Sequence, residues 1–380
     1  MMYKKVYIVD FIGIHSGMHY YNESFSKEIS TIPGIEVEIL SNYSTTMSKR
    51  PFFKNFFEMK KPWNILFVFS SYFSLMNFLF SKKNSHFILH HYGGIIDILF
   101  LSLTIIFSSK ITIVVHDLYA LENKHKTNIL TYILYKYFVK TVIIHSEKNE
   151  LLLKKLKYNN KMFIVPHFKY SFNKYFSVDS IDKDILSIFN SSNNCKKILF
   201  FGHIRLSKGI DILSQVFCSL PEDEQCKYNM IIAGNDTHNI IANLEIHKNK
   251  HASKILRIIN DNELKYIFTH CEYVVLPYKD ISQSGILEMA FYFRKPVLMS
   301  RLPYFEQILS EFPSFGLLFD NTSDGLYNLF LSLSNISTNY YSKQDVLKYE
   351  QREKIESFVN SFSSEMLELR YNKLESVHKF

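Results

Sequence analysis

Cysteine, glycine and proline are all scarce in this chain, and each scarcity removes a class of protein. The four cysteines, Cys195, Cys218, Cys226 and Cys271, form no C-x-x-C pair, and no Cys/His spacing fits a zinc site. Free thiols of this kind fit a reducing compartment rather than a disulfide framework. Eleven glycines and nine prolines in 380 residues argue against a fibrous or low-complexity chain. The phosphate-loop pattern G-x-x-x-x-G-K-[ST] does not occur. "GIHSGMHY", which follows the first apolar run, does not match G-x-G-x-x-G, so a dehydrogenase lacks its fingerprint. No repeat of 20–50 residues is visible. The start, "MMYKKVYIVDFIG", has an apolar run of strand length and no cleavage site, so no signal peptide is expected. The most membrane-like stretch, "IIDILFLSLTIIF" at 95–107, is well short of the roughly 20 residues of a membrane span and is expected to be a buried helix.

What is present is a large apolar content with uneven charge. Hydrophobic residues make up 47% and charged residues 21%, enough for a sizeable core. The net charge of +8 is confined to one half. Residues 1–180 hold 22 Lys+Arg against 12 Asp+Glu, which leaves 22 against 24 for the rest. A basic half can face nucleic acid, anionic lipid or an acidic substrate, or be an ordinary solvated surface.

Strand-like runs alternate with helical segments. In the first half they are 5–11, 36–40, 65–70, 86–91, 111–116, 141–146 and 162–167. Residues 168–195 break the rhythm. A second series follows at 196–202, 229–234, 254–260, 273–278, 295–300 and 315–319. Nearly continuous apolar runs are what strands buried on both faces show, and the alternation predicts βαβ units with parallel sheets. The expected organisation is a doubly wound domain over 1–175, a linker over 176–195, a second doubly wound domain over 196–345 and a helical tail over 346–380. Ligands of such sheets bind beyond the carboxyl ends of the strands.

Two stretches of the second half carry anion chemistry. In "FFGHIRLSKGIDIL" a strand ends at Gly202, a loop bears His203, Arg205 and Lys208, and a helix opens after Gly209. A helix N-terminus flanked by cations is an anion site, and two cations suit a diphosphate. In "VLPYKDISQSGILEMA" a strand ends near Pro277, and Ser282, Gln283, Ser284 and Gly285 lead into a second helix with Glu288 in its first turn. Hydroxyls and an approachable glycine backbone can cradle phosphate, and the carboxylate can accept hydrogen bonds from sugar hydroxyls.

The order "FFGHIRLSKGIDIL", "MIIAGND", "YVVLPYKDISQSGILEMAFYFRKPVLMSRLPYFEQIL" across about 196–308 resembles the GT-B glycosyltransferases of family 4 (glycosyl transferases group 1). The first half resembles them in its βα rhythm, in the glycine loop after the first strand, and in "VVHDLYAL" at 114–121. Two positions depart from the family pattern. His203 stands where the family often has arginine. Met289 occupies the slot of the family's second glutamate, with Glu288 one residue early and Asp280 a further seven-residue gap before it.

The resemblance implies two Rossmann-like domains facing across a cleft and a hexosyltransferase that is retaining and metal-independent, with no cofactor. The donor would be a UDP- or GDP-sugar, held by Gly17, Gly202, His203, Gly234, Ser282, Gln283, Ser284, Gly285 and Glu288. Arg205, Lys208 and His116 would be catalytic. His90, His91, Tyr92 and Asp117 would take a glycan or polyprenyl-diphosphate-linked acceptor, and Asp10 and His15 join these as candidates. The product would enter a cell-surface polysaccharide such as O-antigen, capsule or exopolysaccharide. "KRPFFKNFFEMKKPW" (49–63), "YKYFVK" (135–140) and "KKLKYNNK" (154–161) interleave cations with aromatics. Such a surface fits anionic lipid at the inner face of a membrane, with the rest of the chain in the cytoplasm. Two other readings stay open: a GT-B-like nucleotide-sugar enzyme that transfers to no acceptor, such as an epimerase, and a nucleic-acid-binding protein using the basic half.

Overall fold

A computed structural model describes residues 4–44, 51–53, 63–82, 85–93, 95–107, 111–116, 129–165, 167–170, 177–190, 195–281, 283–336, 339–351 and 359–360. The chain divides into two compact units, Met1–Lys169 and Tyr170–Arg352.

In the N-terminal unit, β1 (Lys4–Asp10), β2 (Ile35–Ser41), β3 (His86–His91), β4 (Ile111–Val115), β5 (Thr141–Ile144) and β6 (Lys161–Ile164) form one sheet in the order β2-β1-β3-β4-β5-β6. Every pairing is parallel. Helices α1 (Met18–Ser30), α2 (Trp63–Ser81), α3 (Ile95–Phe107), α4 (Ile129–Tyr137) and α5 (Glu147–Lys155) lie between the strands. Right-handed crossovers put α1 on one face of the sheet and α2 to α5 on the other. Alternate residues of β1 are therefore buried in both directions, with Val6 and Ile8 on one side and Tyr7 and Val9 on the other.

In the C-terminal unit, β7 (Lys196–Phe201), β8 (Tyr228–Ala233), β9 (Ala252–Ile255), β10 (Tyr273–Leu276), β11 (Val297–Ser300) and β12 (Gly316–Phe319) form a second parallel sheet, ordered β12-β11-β10-β7-β8-β9. Helices α6 (Lys183–Asn190), α7 (Ile210–Ser219), α8 (Glu222–Gln225), α9 (Asp261–His270), α10 (Gly285–Tyr292), α11 (Pro303–Glu311), α12 (Ser323–Leu333) and α13 (Lys343–Glu350) complete it. Side-chain caps set several helix starts. Asn260 and Glu263 form a capping box on α9, and Ser284, Thr322 and Ser342 cap α10, α12 and α13. Within the segment expected as a linker, α6 packs Ile185 and Phe189 into this unit, with Phe189 against Tyr266 of α9. Beyond α13, most of the expected tail lies outside the described residues.

All twelve strands overlap runs expected from the sequence, β9 by only two residues because it spans 252–255 and not 254–260, but a thirteenth run, 65–70, is helix. It lies inside α2, which continues for 19 residues without Gly, Pro or a charged side chain. A short apolar run has no period of its own, and only its continuation past strand length marks a helix. The membrane-length stretch is thus 63–81, longer than the 95–107 run that stood out by eye. The latter is α3, buried at Ile98, Phe100, Leu101 and Leu103 but exposed at Leu99 and Ile106, so it is buried on one side only.

Candidate active site at the strand-order switch

In each sheet the strand order reverses once, between β7 and β10 in the C-terminal unit and between β1 and β3 in the N-terminal one. At such a point the loops beyond two neighbouring strands run to opposite faces and leave a crevice where ligands bind. The two anion-bearing loops of the sequence are the loops after β7 and β10.

Their glycines follow from backbone crowding. Gly209 has φ +72°, and a Cβ there would lie 1.7 Å from the Pro277 carbonyl oxygen. No other residue lets the loop after β7 close onto β10. Gly234, at the end of β8, presses in the same way on the Gly202 carbonyl, 1.9 Å from where its Cβ would stand. The Lys279 N–H donates to the Ser207 carbonyl at 3.1 Å, and the Lys279 ammonium pairs with Asp211 at 2.6 Å. The two loops are therefore fastened together.

Residues Leu206–Lys208 make a 3-10 turn that delivers Lys208 to the mouth of the crevice. Its Nζ lies 3.4 Å from the position a Gly202 Cβ would take and 5.5 Å from the Tyr278 ring centre. Among the described residues no carboxylate pairs with Lys208 or with Arg205. Burial, and then the neighbouring Arg205 charge, push the Lys208 ammonium down to about 8. Ile286, in the first turn of α10, reaches within 3.3 Å of the same Gly202 position, so the start of α10 faces Lys208. Ser284 is buried and caps α10 by accepting from the Leu287 N–H at 3.2 Å. Gly285 opens the helix beside Tyr170, whose hydroxyl would be 2.5 Å from a Cβ.

Other residues expected here are placed differently. His203 and Gln283 are half-buried on the two loops, and Asp280 is exposed. Ser282 lies outside the described residues. Glu288 is 1% exposed, and its carboxylate accepts from the Tyr349 hydroxyl of α13 at 2.5 Å.

The N-terminal switch point carries a buried polar cluster. The Asp10 carboxylate, at the end of β1, accepts from the Ile12 and Gly13 N–H groups at 3.0 and 3.1 Å. It also accepts from Asn22 at 2.6 Å and from the Tyr92 hydroxyl at 2.9 Å. The His116 ring is nearly parallel to those of Tyr92 and His90, with centres 4.9 and 5.0 Å away. His90 Nδ1 and His116 Nε2 share a hydrogen bond of 2.7 Å, and the Tyr135 hydroxyl bonds His91 Nδ1 at 2.7 Å. Burial pushes His90 and His91 down to about 4, and pushes His116 well below its ordinary value with neighbouring histidines adding to the effect. All three are neutral imidazoles at neutral pH. Gly17 (φ +73°) starts α1. Asp117 and the His15 side chain lie outside the described residues.

Four members of this cluster were not singled out in the sequence: Tyr21, Asn22, His145 and His167. Tyr21 bonds His145 Nε2 at 2.8 Å and is edge-on to His90, His116 and His167. A signal existed, because the runs giving β3, β4, β5 and β6 each lead to histidine at 90–91, 116, 145 and 167. The basic aromatic stretch 49–63 is largely outside the described residues. Phe53 is in the core and Phe52 packs against it, so those two rings are not on the surface.

Residues 182–341 match the family model of glycosyl transferases group 1. No curated protein matches the chain. Among solved structures, sucrose-phosphate synthase from Thermosynechococcus elongatus aligns with TM-score 0.67 and 13% identity, over 98% of this chain and 100% of that one. Anabaena HepE in complex with UDP-glucose gives 0.65 and 14%, over 96% and 99%. UDP-GlcNAc 2-epimerase from Neisseria meningitidis bound to UDP-GlcNAc gives 0.58 and 15%, over 94% and 99%. At these identities the likeness is one of fold. The two sheets form the pair of Rossmann-like domains of the GT-B fold, and the match to glycosyl transferases group 1 covers residues 182–341.

Proposed function

We propose that this protein is a glycosyltransferase that moves a sugar from a nucleoside-diphosphate sugar to an acceptor hydroxyl. The observation that carries the reading is Lys208, which faces the first turn of α10 and feels the charge of Arg205, neither cation having a carboxylate partner among the described residues. Burial and the neighbouring Arg205 hold the Lys208 ammonium down to about 8, and two neighbouring cations suit a diphosphate. The donor's diphosphate would lie across the two loops, with Gly202, Ser284 and Gly285 offering backbone close to it. As the bond from the sugar's anomeric carbon to the diphosphate breaks, negative charge develops on the leaving oxygen. Arg205, Lys208 and the N-termini of α7 and α10 stabilise that charge, and no divalent metal is needed for it. The acceptor oxygen forms the new bond, and its proton leaves to water or to the departing phosphate. We take the transfer to be retaining, as the family resemblance implies.

The structures that share the fold include HepE in complex with UDP and with UDP-glucose and an epimerase bound to UDP-GlcNAc, so a uridine diphosphate sugar is the first donor to try. The acceptor is assigned to the N-terminal unit, whose neutral imidazoles and tyrosine hydroxyls suit sugar hydroxyls. We place the enzyme in cell-surface polysaccharide synthesis on the cytoplasmic side, with a glycan or polyprenyl-diphosphate-linked acceptor. A second reading, epimerisation, is favoured by the fold shared with UDP-GlcNAc 2-epimerase.

A panel of UDP- and GDP-sugars, with and without acceptors, separates the two. Transfer, or slow donor hydrolysis to free sugar and nucleotide, supports the proposal. An epimerised nucleotide sugar as the only product would replace it. Lys208→Ala is expected to lower kcat by about 10²–10³.

A further inference from the structure

Six of the twenty large apolar side chains exposed among the described residues stand on α2: Trp63, Ile65, Leu66, Phe69, Phe73 and Phe80. The opposite stripe of that helix is buried. Ser71, Leu75 and Leu79, spaced by four, face the core, and Phe67, Tyr72 and Met76 pack beside them. A surface helix of a water-soluble protein is apolar on one face and polar on the other. This one is apolar on both. Its neighbours continue the outer face, with Leu99 and Ile106 on α3 and Leu130, Ile133 and Tyr137 on α4.

The charges around the patch indicate what covers it. The 19 residues of α2 contain none, but the sequence brackets them with Lys60 and Lys61 before and Lys82 and Lys83 after. Lys136 of α4 lies over Tyr137, 5.0 Å from its ring centre. An apolar strip that runs into the exposed Lys82, on the basic half of the chain, complements a bilayer with anionic headgroups better than it complements a water-exposed protein partner. Tryptophan at the end of such a strip belongs at headgroup level. At 1.5 Å per residue α2 is about 28 Å long, near the thickness of a bilayer's hydrocarbon core. Its buried stripe nevertheless fastens it lengthwise to the unit, so it cannot cross while the fold is intact.

We infer that α2 is a membrane-docking helix that lies in the plane of an anionic bilayer, with Phe69 and Phe73 in the acyl boundary and Lys82 and Lys136 among the headgroups. This goes beyond the proposed transfer reaction and does not depend on it, although a lipid-linked acceptor would be found at the same surface.

The test uses the full chain and its single tryptophan, Trp63. Protein is mixed with vesicles of phosphatidylcholine plus phosphatidylglycerol, or of phosphatidylcholine alone. Co-sedimentation, Trp63 emission and light scattering are followed. Expected are binding to the anionic vesicles, weaker binding to the neutral ones, and a blue shift of Trp63. Phe69→Glu with Phe73→Glu should weaken partitioning by about tenfold per substitution. Ser70→Glu with Ser74→Glu, on exposed positions of the same helix, repeats the test should the first variant fail to fold. Unchanged binding by the folded variants, or an unmoved Trp63 with the protein left in the supernatant, overturns the inference. So does a dimer that the substitutions split while no vesicle binds, because the covering surface is then a second copy of the chain. Donor hydrolysis measured without vesicles reads the proposed activity separately, so either proposal can fail alone.

Discussion

Lys208 ties the proposed chemistry to a measurable proton. Its ammonium is held down to about 8, first by burial and then by Arg205. In the unfolded chain the same group sits near 10.5. The folded value is lowered, so the charged lysine penalises the fold. The penalty is fully present below pH 8 and is relieved as pH rises from 8 toward 10.5. It amounts to about 3 kcal/mol. Lys208→Met should therefore stabilise the ligand-free protein at pH 7 by up to that amount.

A bound diphosphate reverses the balance, because it favours the charged form. If it restores the ordinary value, binding takes up about 0.1 proton at pH 7, about 0.5 at pH 8 and about 0.9 at pH 9. UDP affinity should then fall about tenfold between pH 7 and pH 9. Calorimetry of UDP binding in buffers of different ionisation enthalpy measures the uptake directly. Lys208→Arg keeps the charge at all these pH values, so its affinity should be flat and its uptake near zero. UDP binding by the wild type without uptake at pH 8, or the same pH dependence in Lys208→Arg, would refute the role given to Lys208.

Three further outcomes follow from the same geometry. Gly209→Ala should cost at least about 2–3 kcal/mol, because its Cβ meets the Pro277 carbonyl, whereas Gly34→Ala (φ +80°, with nothing within 4 Å) should cost about 1 kcal/mol; equal losses in urea melts would show that crowding is not the cause. Asp10→Asn turns an amide donor toward the N–H and O–H donors that the carboxylate now satisfies, and should destabilise the protein by about 2–3 kcal/mol, read by thermal melting. Glu288→Gln should lower the melting temperature while changing the donor KM less than about threefold, since Tyr349 already holds the buried carboxylate; a large rise in KM would put Glu288 on the donor.

The strand pattern was legible because parallel strands covered on both faces must be apolar throughout, and twelve such runs are bounded by turns or helices. The misreading at 65–70 has the same origin. "ILFVFS" is as apolar as β3 or β4, and no alternation or period exists within six residues to tell a buried strand from a two-sided apolar helix. The cue was its surroundings. An uncharged stretch of 19 residues is too long for a strand of this sheet, whose members span four to seven.

The two candidate sites differ in legibility for a reason rooted in chain distance. In the C-terminal unit the functional groups belong to two short segments, 202–209 and 277–288, each a complete strand–loop–helix passage. Cations, glycines and the capping serine can be read locally, and the sheet's switch point does the rest by making β7 and β10 neighbours. Glu288 shows where local reading stops, because its partner Tyr349 is 61 residues away and nothing near Glu288 in the sequence announces it. The N-terminal cluster is non-local throughout. Tyr92 is 82 residues from the Asp10 it bonds, and Tyr21 is 124 residues from His145. Each histidine alone is an ordinary strand-end residue, and becomes part of a site only when parallel pairing lines up the carboxyl ends of β3 to β6. The recurring strand-end histidine was therefore the strongest unread signal in the chain. It was invisible to any reading that weighs one segment at a time, since its meaning lies in the register between segments.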